Sequence, residues 1–196
     1  MKDIVKLVLS LGAICLVGSA ALTFVYKNTK EPIKQADEKA LTANLKMVLP
    51  PETDKTESVL EKGDILIYKG KDASGAIVGY AVQSVGKGGF GGDIKILAGF
   101  KPDGAIRTVM VTDSKETPGI GSKATDRKIQ RSLWDVLKGK KQDVTYPPND
   151  FLDSFNGRKT VKGGEPVHGI GGATYSSTAV IAAVDQACEA LKPIIK

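Results

Sequence analysis

From Leu7 to Tyr26 the chain reads LVLSLGAICLVGSAALTFVY, without a single charge. A helix rises about 1.5 Å per residue, so a run of this length spans the ~30 Å hydrocarbon core of a bilayer. That constrains the chain before any other feature is read. Lys2 and Lys6 precede the run, and Tyr26, Lys27 and Lys30 follow it, where an interfacial aromatic and basic neighbours sit at a membrane surface. The rival reading is a cleaved signal peptide, with Lys2 and Lys6 as its positive n-region and Gly18, Ser19 and Ala20 before the cleavage point. The run is longer than a usual signal-peptide core, which favours an uncleaved anchor. A lipid anchor at Cys15 is disfavoured because Ile14 stands where a small residue is expected. Lysines on both flanks leave the positive-inside count undecided. A short N-terminal tail is easily retained in the cytoplasm, which places everything after residue 30 on the extracytoplasmic side of the inner membrane.

Past Pro32 the segment IKQADEKALTANLKMVL carries apolar residues at helical spacing and stops at Pro50 and Pro51, predicting a juxtamembrane helix. The period then changes to two. DILIYKG, GAIVGYAVQSV, GDIKILAGFK and GAIRTVMVTD are β-rich runs separated by ASG, KGGFGG and PDG, which predicts an antiparallel meander. ATDRKIQRSLWDVLKGK returns to helical spacing with Trp134 and Leu137 on one face. A loop-rich stretch follows, then a C-terminal helix SSTAVIAAVDQACEALK stopped by Pro193. Strands first and helices later predict an α+β fold: a twisted antiparallel sheet with helices covering one face. The expected organisation is a tail and transmembrane helix over residues 1–30, a linker helix over 31–51 and one domain over 52–196.

The formal net charge of +6 comes from scattered lysines, with no basic run interleaved with aromatics, so a solvated basic surface is expected rather than nucleic-acid binding. Cys15 and Cys188 are far apart and in apolar or helical settings, and the single histidine cannot complete a zinc set, so neither a disulfide framework nor a metal centre is expected.

Glycine is clustered as KGGFGG, PGIG, KGGEP and HGIGGAT, which points to tight loops. The last cluster runs into HGIGGATYSSTAVIAAV and poses the central question of the chain. Thr174, Ser176 and Ser177 stand before a helical pattern, where hydroxyls cap orphan N–H groups for about 1 kcal/mol. Capping does not explain why Gly171, Gly172 and Ala173 strip away bulk just ahead of them, as a site that admits a flat or phosphorylated ligand to the backbone would require. A helix start also offers free N–H donors and the positive end of its dipole to an anion. The GxxxxGK[ST] phosphate loop is absent from the sequence, so nucleotide hydrolysis is not suggested.

HGIGGATYSS resembles the [ST]GAT attachment motif of the covalent FMN-binding domains in the Rnf and Na+-translocating NADH:quinone oxidoreductase complexes. DSKETPGIGSKA resembles that family's ETPGxG loop, and GFGGDIKILAGF the glycine-led strand before it. The likeness covers essentially the whole chain. Length favours the G-subunit branch of the Rnf electron-transport complexes over the longer C subunit of the quinone oxidoreductase. The resemblance implies an FMN-binding domain in which Thr174 carries FMN through a phosphoester made by a separate flavin transferase from FAD. It further implies that Glu116, Thr117, Pro118 and Gly119 form a loop near the flavin, with Thr117 bonding the ring or phosphate. The expected cofactor site thus comprises Thr174 with Gly171, Gly172, Ala173, Tyr175, Ser176, Ser177, His168 and that loop. His168 stands where the family often has Asp, and Gly171 where it often has Ser or Thr. The implied role is a membrane-anchored redox subunit of an ion-translocating ferredoxin:NAD oxidoreductase, with other integral and peripheral subunits as partners and no independent catalysis. Alternatives are a component like the C subunit of the quinone oxidoreductase, a standalone extracellular flavoprotein reductase, or an anchored non-redox binding or assembly module.

Covalency has a physical reason of its own, since a reversibly held cofactor outside the cytoplasm dissociates into a compartment without a flavin pool. No Ser-His-Asp arrangement surrounds Thr174, which favours modification by another enzyme over self-catalysis. Elsewhere KGGFGG reads as a hairpin connection or bulge, with Phe90 available to cover a ring, and Trp134 as core. Asp150, Asp153, Glu165 and Asp185 read as surface carboxylates.

Overall fold

The structure, a computed structural model, describes residues 2–127, 148–162, 164 and 166–195. The helix expected around Trp134 and Leu137, and Glu165, lie outside the described residues. The chain divides into two units, Met1–Ala43 and Asn44–Lys196.

The described residues of the first unit are all helical, as part of α1 (Lys2–Val48). The large apolar side chains of its apolar run, among them Leu7, Leu16, Leu22 and Phe24, are exposed, and α1 is long and apolar enough to cross a membrane. Polar side chains within the span bond to their own helix. Ser10 Oγ donates to the Leu7 carbonyl at 2.9 Å and Thr23 Oγ1 to the Ser19 carbonyl at 2.8 Å, so neither hydroxyl is left unpaired toward lipid. The sequence pattern places Pro32 between two helices, yet it lies inside one. Proline removes one N–H and crowds one carbonyl, a defect that a long helix absorbs locally when it falls beyond the apolar run.

In the second unit the last residues of α1 belong to the domain core. Leu45, Val48 and Leu49 are buried, each worth about 1.5–3 kcal/mol, so the end of the segment expected to be linker packs into the domain. The sheet follows as β1 (Lys55–Lys62), β2 (Ile65–Lys71), β3 (Ile77–Gly89), β4 (Gly92–Phe100) and β5 (Ile106–Asp113). Its strands are antiparallel in chain order. β1 has no counterpart in the sequence reading. All eight of its residues are exposed, so no alternation of buried and solvated positions marks it, and its Lys and Glu residues suit an edge that must not pair with another chain. KGGFGG is both a hairpin and a bulge: Gly89 pairs with Gly92 around Phe90 and Gly91, and the register shifts between Gly86 and Gly89.

α2 (Ser122–Thr125) and α3 (Asp150–Asp153) are single turns, and α4 (Thr174–Leu191) is the long C-terminal helix. α3 is capped by Asn149, whose Oδ1 accepts from the Leu152 N–H at 3.0 Å. Beside it the Arg127 guanidinium reaches Asp153 at 2.7 Å. Burial alone raises the Asp153 carboxyl, but hydrogen bonds from Arg127 and the Asn149 N–H outweigh it and hold the group below the usual carboxylate range.

Cross-strand pairing sorts the sheet into two faces. Tyr80 with Phe100, Val82 with Ala98 and Ser84 with Ile96 share the face under α4, where Ser84 Oγ donates to the Ala183 carbonyl at 2.8 Å. A Cβ on Gly86 would run into the Ala179 carbonyl, so this glycine sets how closely α4 approaches. α4 buries Ala179, Val180, Ala183, Val184, Ala187, Cys188 and Leu191, an apolar stripe at helical spacing. Burial, reinforced by Asp185, pushes the Cys188 thiol up to about 11, which makes it inert packing. On the opposite face a Cβ on Gly99 would strike the Val48 carbonyl, and one on Gly79 would stand 2.9 Å from Pro50 Cδ. Arg107 Nη1 donates to the carbonyls of Met47, Val48 and Leu49 at 3.1, 2.9 and 3.0 Å, capping the C-terminus of α1. Helical structure therefore lies against both faces of the sheet, not one, because the end of α1 is seated on the second.

Candidate functional site

The turn before α4 is drawn tight by its backbone. Gly172 takes φ +81°, a left-handed conformation that favours glycine, and the Ala173 N–H closes the turn on the Ile170 carbonyl at 2.9 Å. Ala173 is the N-cap of α4, is buried, and supplies no side-chain cap. Thr174 is the first helical residue, so the expected capping function does not fall on it.

The hydroxyls of Thr174, Ser176 and Ser177 separate cleanly. Ser176 and Ser177 are each only 1% exposed. Ser177 Oγ accepts from the Ile170 N–H at 2.9 Å, closing the preceding turn from within. Ser176 Oγ donates to Glu116 Oε2 at 2.7 Å. Thr174 is exposed, as are Gly171, Gly172 and Tyr175 around it. A Cβ on Gly171 or Gly172 would meet nothing within 4 Å, so the missing bulk leaves open space beside the exposed threonine. The first-turn N–H groups of α4 lie on the same end of the helix, with no intrahelical acceptor.

The ETPGIG loop is brought to this helix start. Glu116 Oε1 accepts from the Gly91 N–H at 3.2 Å while its Oε2 holds Ser176, so both oxygens of the expected flavin-loop carboxylate serve the protein itself. Thr117 is exposed, and its carbonyl accepts from Ile120 and Ser122 N–H groups, each at 3.2 Å. Pro118 and Gly119 are exposed at the tip, where Gly119 has φ +81° and donates its N–H to Ser122 Oγ at 2.8 Å. His168 is exposed on the approach to the turn, and among the described residues no hydrogen bond ties its ring to the site.

Three large apolar side chains stand out from the segments that Glu116 joins: Phe90 at 74% exposure, Ile120 at 54% and Tyr175 at 70%. No other apolar side chain of this size in the described part of the domain exceeds 41%. Tyr175 belongs to the expected site and Phe90 is the candidate ring cover. Ile120 escaped the sequence reading, although an isoleucine after Pro-Gly at an exposed tip is the signal that marks it. The pairing of Glu116 with Ser176 escaped it too, since they are 60 positions apart.

The FMN-binding domain family model matches residues 89–189, a span that contains Gly89, Gly91 and Gly92 of the hairpin, Glu116, Thr174 and most of α4. The G subunit of the ion-translocating oxidoreductase complex of Methanosarcina acetivorans is 31% identical over 195 residues, covering 96% of this chain and 94% of that protein. The G subunit of the Na(+)-translocating ferredoxin:NAD(+) oxidoreductase complex of Acetobacterium woodii is 28% identical over 210 residues, covering 100% and 95%. Among solved structures, NqrC of Shewanella oneidensis matches with a TM-score of 0.42 and 24% identity, over 71% of this chain and 65% of that one.

Proposed function

The chain belongs to the FMN-binding domain family, and from that premise we propose that it is the membrane-anchored electron-transfer subunit of an ion-translocating ferredoxin:NAD oxidoreductase of the Rnf type, carrying FMN esterified to Thr174. The observation that carries this reading is the sorting of hydroxyls at the start of α4. Ser176 and Ser177 are buried and committed to protein partners, whereas Thr174 faces out beside the open space at Gly171 and Gly172.

The residues fit the group. An exposed hydroxyl provides the attachment atom, and the free N–H groups and dipole of the first turn of α4 suit a phosphodiester charge, worth a few tenths to about 2 kcal/mol. Phe90, Ile120 and Tyr175 offer apolar surface to a flat ring, and the exposed Thr117 and His168 offer hydrogen bonds at its edge. Bound FMN supplies one-electron transfer between neighbouring subunits; the protein positions it and tunes its surroundings. α1 keeps the domain at the membrane and gives integral subunits a surface with small residues such as Gly12 and Gly18. A flavin transferase acting on Thr174, with the domain on the extracytoplasmic side, completes the reading.

The test is expression of the full chain with a flavin transferase, followed by intact mass and in-gel flavin fluorescence under denaturing conditions. The expected result is one FMN per chain, lost completely in Thr174→Ala. A flavin-free wild-type chain removes the assignment and leaves an anchored binding module; a Thr174→Ala chain that still fluoresces moves the attachment to another residue.

A further inference from the structure

Three glycines in two of the sequence clusters surround one carboxylate. A Cβ on Gly89 would stand 2.6 Å from Glu116 Oε1, and one on Gly121 would overlap Oε2 and stand 2.9 Å from Ser176 Oγ. A Cβ on Gly91, whose N–H donates to Oε1, would run into the Lys115 carbonyl. A side chain at any of the three positions would collide with the Glu116 carboxylate or the backbone beside it. Through it one residue joins the β3–β4 hairpin, its own loop and the first turn of α4. A serine hydroxyl inside a helix ordinarily bonds back to the carbonyl four residues earlier, but a hydrogen bond to a carboxylate is roughly twice as strong as a neutral one. Glu116 therefore decides where Ser176 points and, through the backbone, how the first turn is held.

We propose that Glu116 is a positioning residue for flavin attachment: its bridge to Ser176 and Gly91 fixes the first turn of α4 and so the direction in which Thr174 presents its hydroxyl. The inference rests on Thr174 as the acceptor. In the transfer, Thr174 Oγ1 forms a bond to the FMN phosphorus of FAD and the pyrophosphate P–O bond to the AMP half breaks. AMP leaves with that electron pair, and the hydroxyl proton passes to solvent, with no change in oxidation state. An in-line displacement of this kind is sensitive to misplacement of the nucleophile by about 1 Å, at a cost on the order of 10²-fold. Thr174 and Ser176 are two positions apart and lie on different faces of the helix, so the coupling runs through the backbone of the turn.

The test uses the full chain, flavin-free and in detergent, with purified flavin transferase and FAD, comparing wild type, Glu116→Ala, Glu116→Gln, Ser176→Ala and Thr174→Ala. Glu116→Ala is expected to lower kcat for attachment at least about tenfold. KM for the chain should stay unchanged, whereas a partly unfolded substrate raises the apparent KM instead. Glu116→Gln should restore kcat to within about threefold, since its carbonyl still accepts from Gly91 and its amide can donate to Ser176 Oγ. Ser176→Ala removes the bridge without touching the loop and should follow Glu116→Ala, which keeps the question answerable if Glu116→Ala does not fold. Wild-type kcat in both Glu116→Ala and Ser176→Ala overturns the proposal while leaving Thr174 as the acceptor. Loading that persists in Thr174→Ala overturns the parent reading instead.

Discussion

Two glycine-lined regions of the domain differ in what fills the volume a side chain would have taken. Where α1 ends, Gly79 and Gly99 let Pro50 and the Val48 carbonyl lie directly on the sheet, and Arg107 closes the helix end. That space is filled by the protein's own backbone and the Pro50 ring. Where α4 begins, Gly89, Gly91 and Gly121 enclose the Glu116 carboxylate, while Gly171 and Gly172 face open space beside an exposed threonine. Glycine at the first place serves packing; at the second, Gly89, Gly91 and Gly121 do the same, whereas Gly171 and Gly172 serve access. A glycine cluster in a sequence thus has no fixed meaning until one knows whether the missing Cβ would meet protein or nothing.

The contrast can be broken at its strongest point by Gly99→Ala. The added methyl has no room against the Val48 carbonyl, and the expected loss is about 3 kcal/mol in urea melts of the full chain in detergent. A loss under 1 kcal/mol would show that the seat is looser than its geometry. Arg107→Met sharpens the same region with a smaller effect. It keeps the aliphatic stem but leaves three carbonyls at the end of α1 without their cation, and about 1.5 kcal/mol should disappear in the same melts. Gly171→Ala is the opposite extreme. Its Cβ meets nothing within 4 Å, so stability should stay within about 0.5 kcal/mol of wild type, while covalent flavin loading declines because the methyl occupies space left for the ligand. Loss of stability there would put Gly171 in the packing class, and unchanged loading would take it out of the access class.

Legibility in the sequence followed how local each cause was. The meander from β2 to β5 was readable because alternation and turn glycines are short-range signals. β1 was not, because a fully exposed edge strand buries nothing on either side and so leaves no period in its sequence. The end of α1 and the residue after it read as linker because Leu45, Val48 and Leu49 fit any amphipathic pattern, and only the glycine seat on β3 and β4 makes them core. Thr174 and the ETPGIG loop were visible as motifs. Which of the neighbouring hydroxyls turns inward was not, since that depends on a carboxylate 60 positions from Ser176.

By itself the sequence determined a membrane-length apolar helix, an antiparallel sheet followed by a long helix, and a glycine-flanked threonine at that helix's start. These rest on composition and period, which act over a few residues. The tertiary structure alone decided that Ser176 and Ser177 are buried and Thr174 exposed, that Glu116 ties three segments together, and that the end of α1 belongs to the domain. Each of those depends on groups far apart in the chain meeting at hydrogen-bond or van der Waals distance, and no local pattern encodes such a meeting.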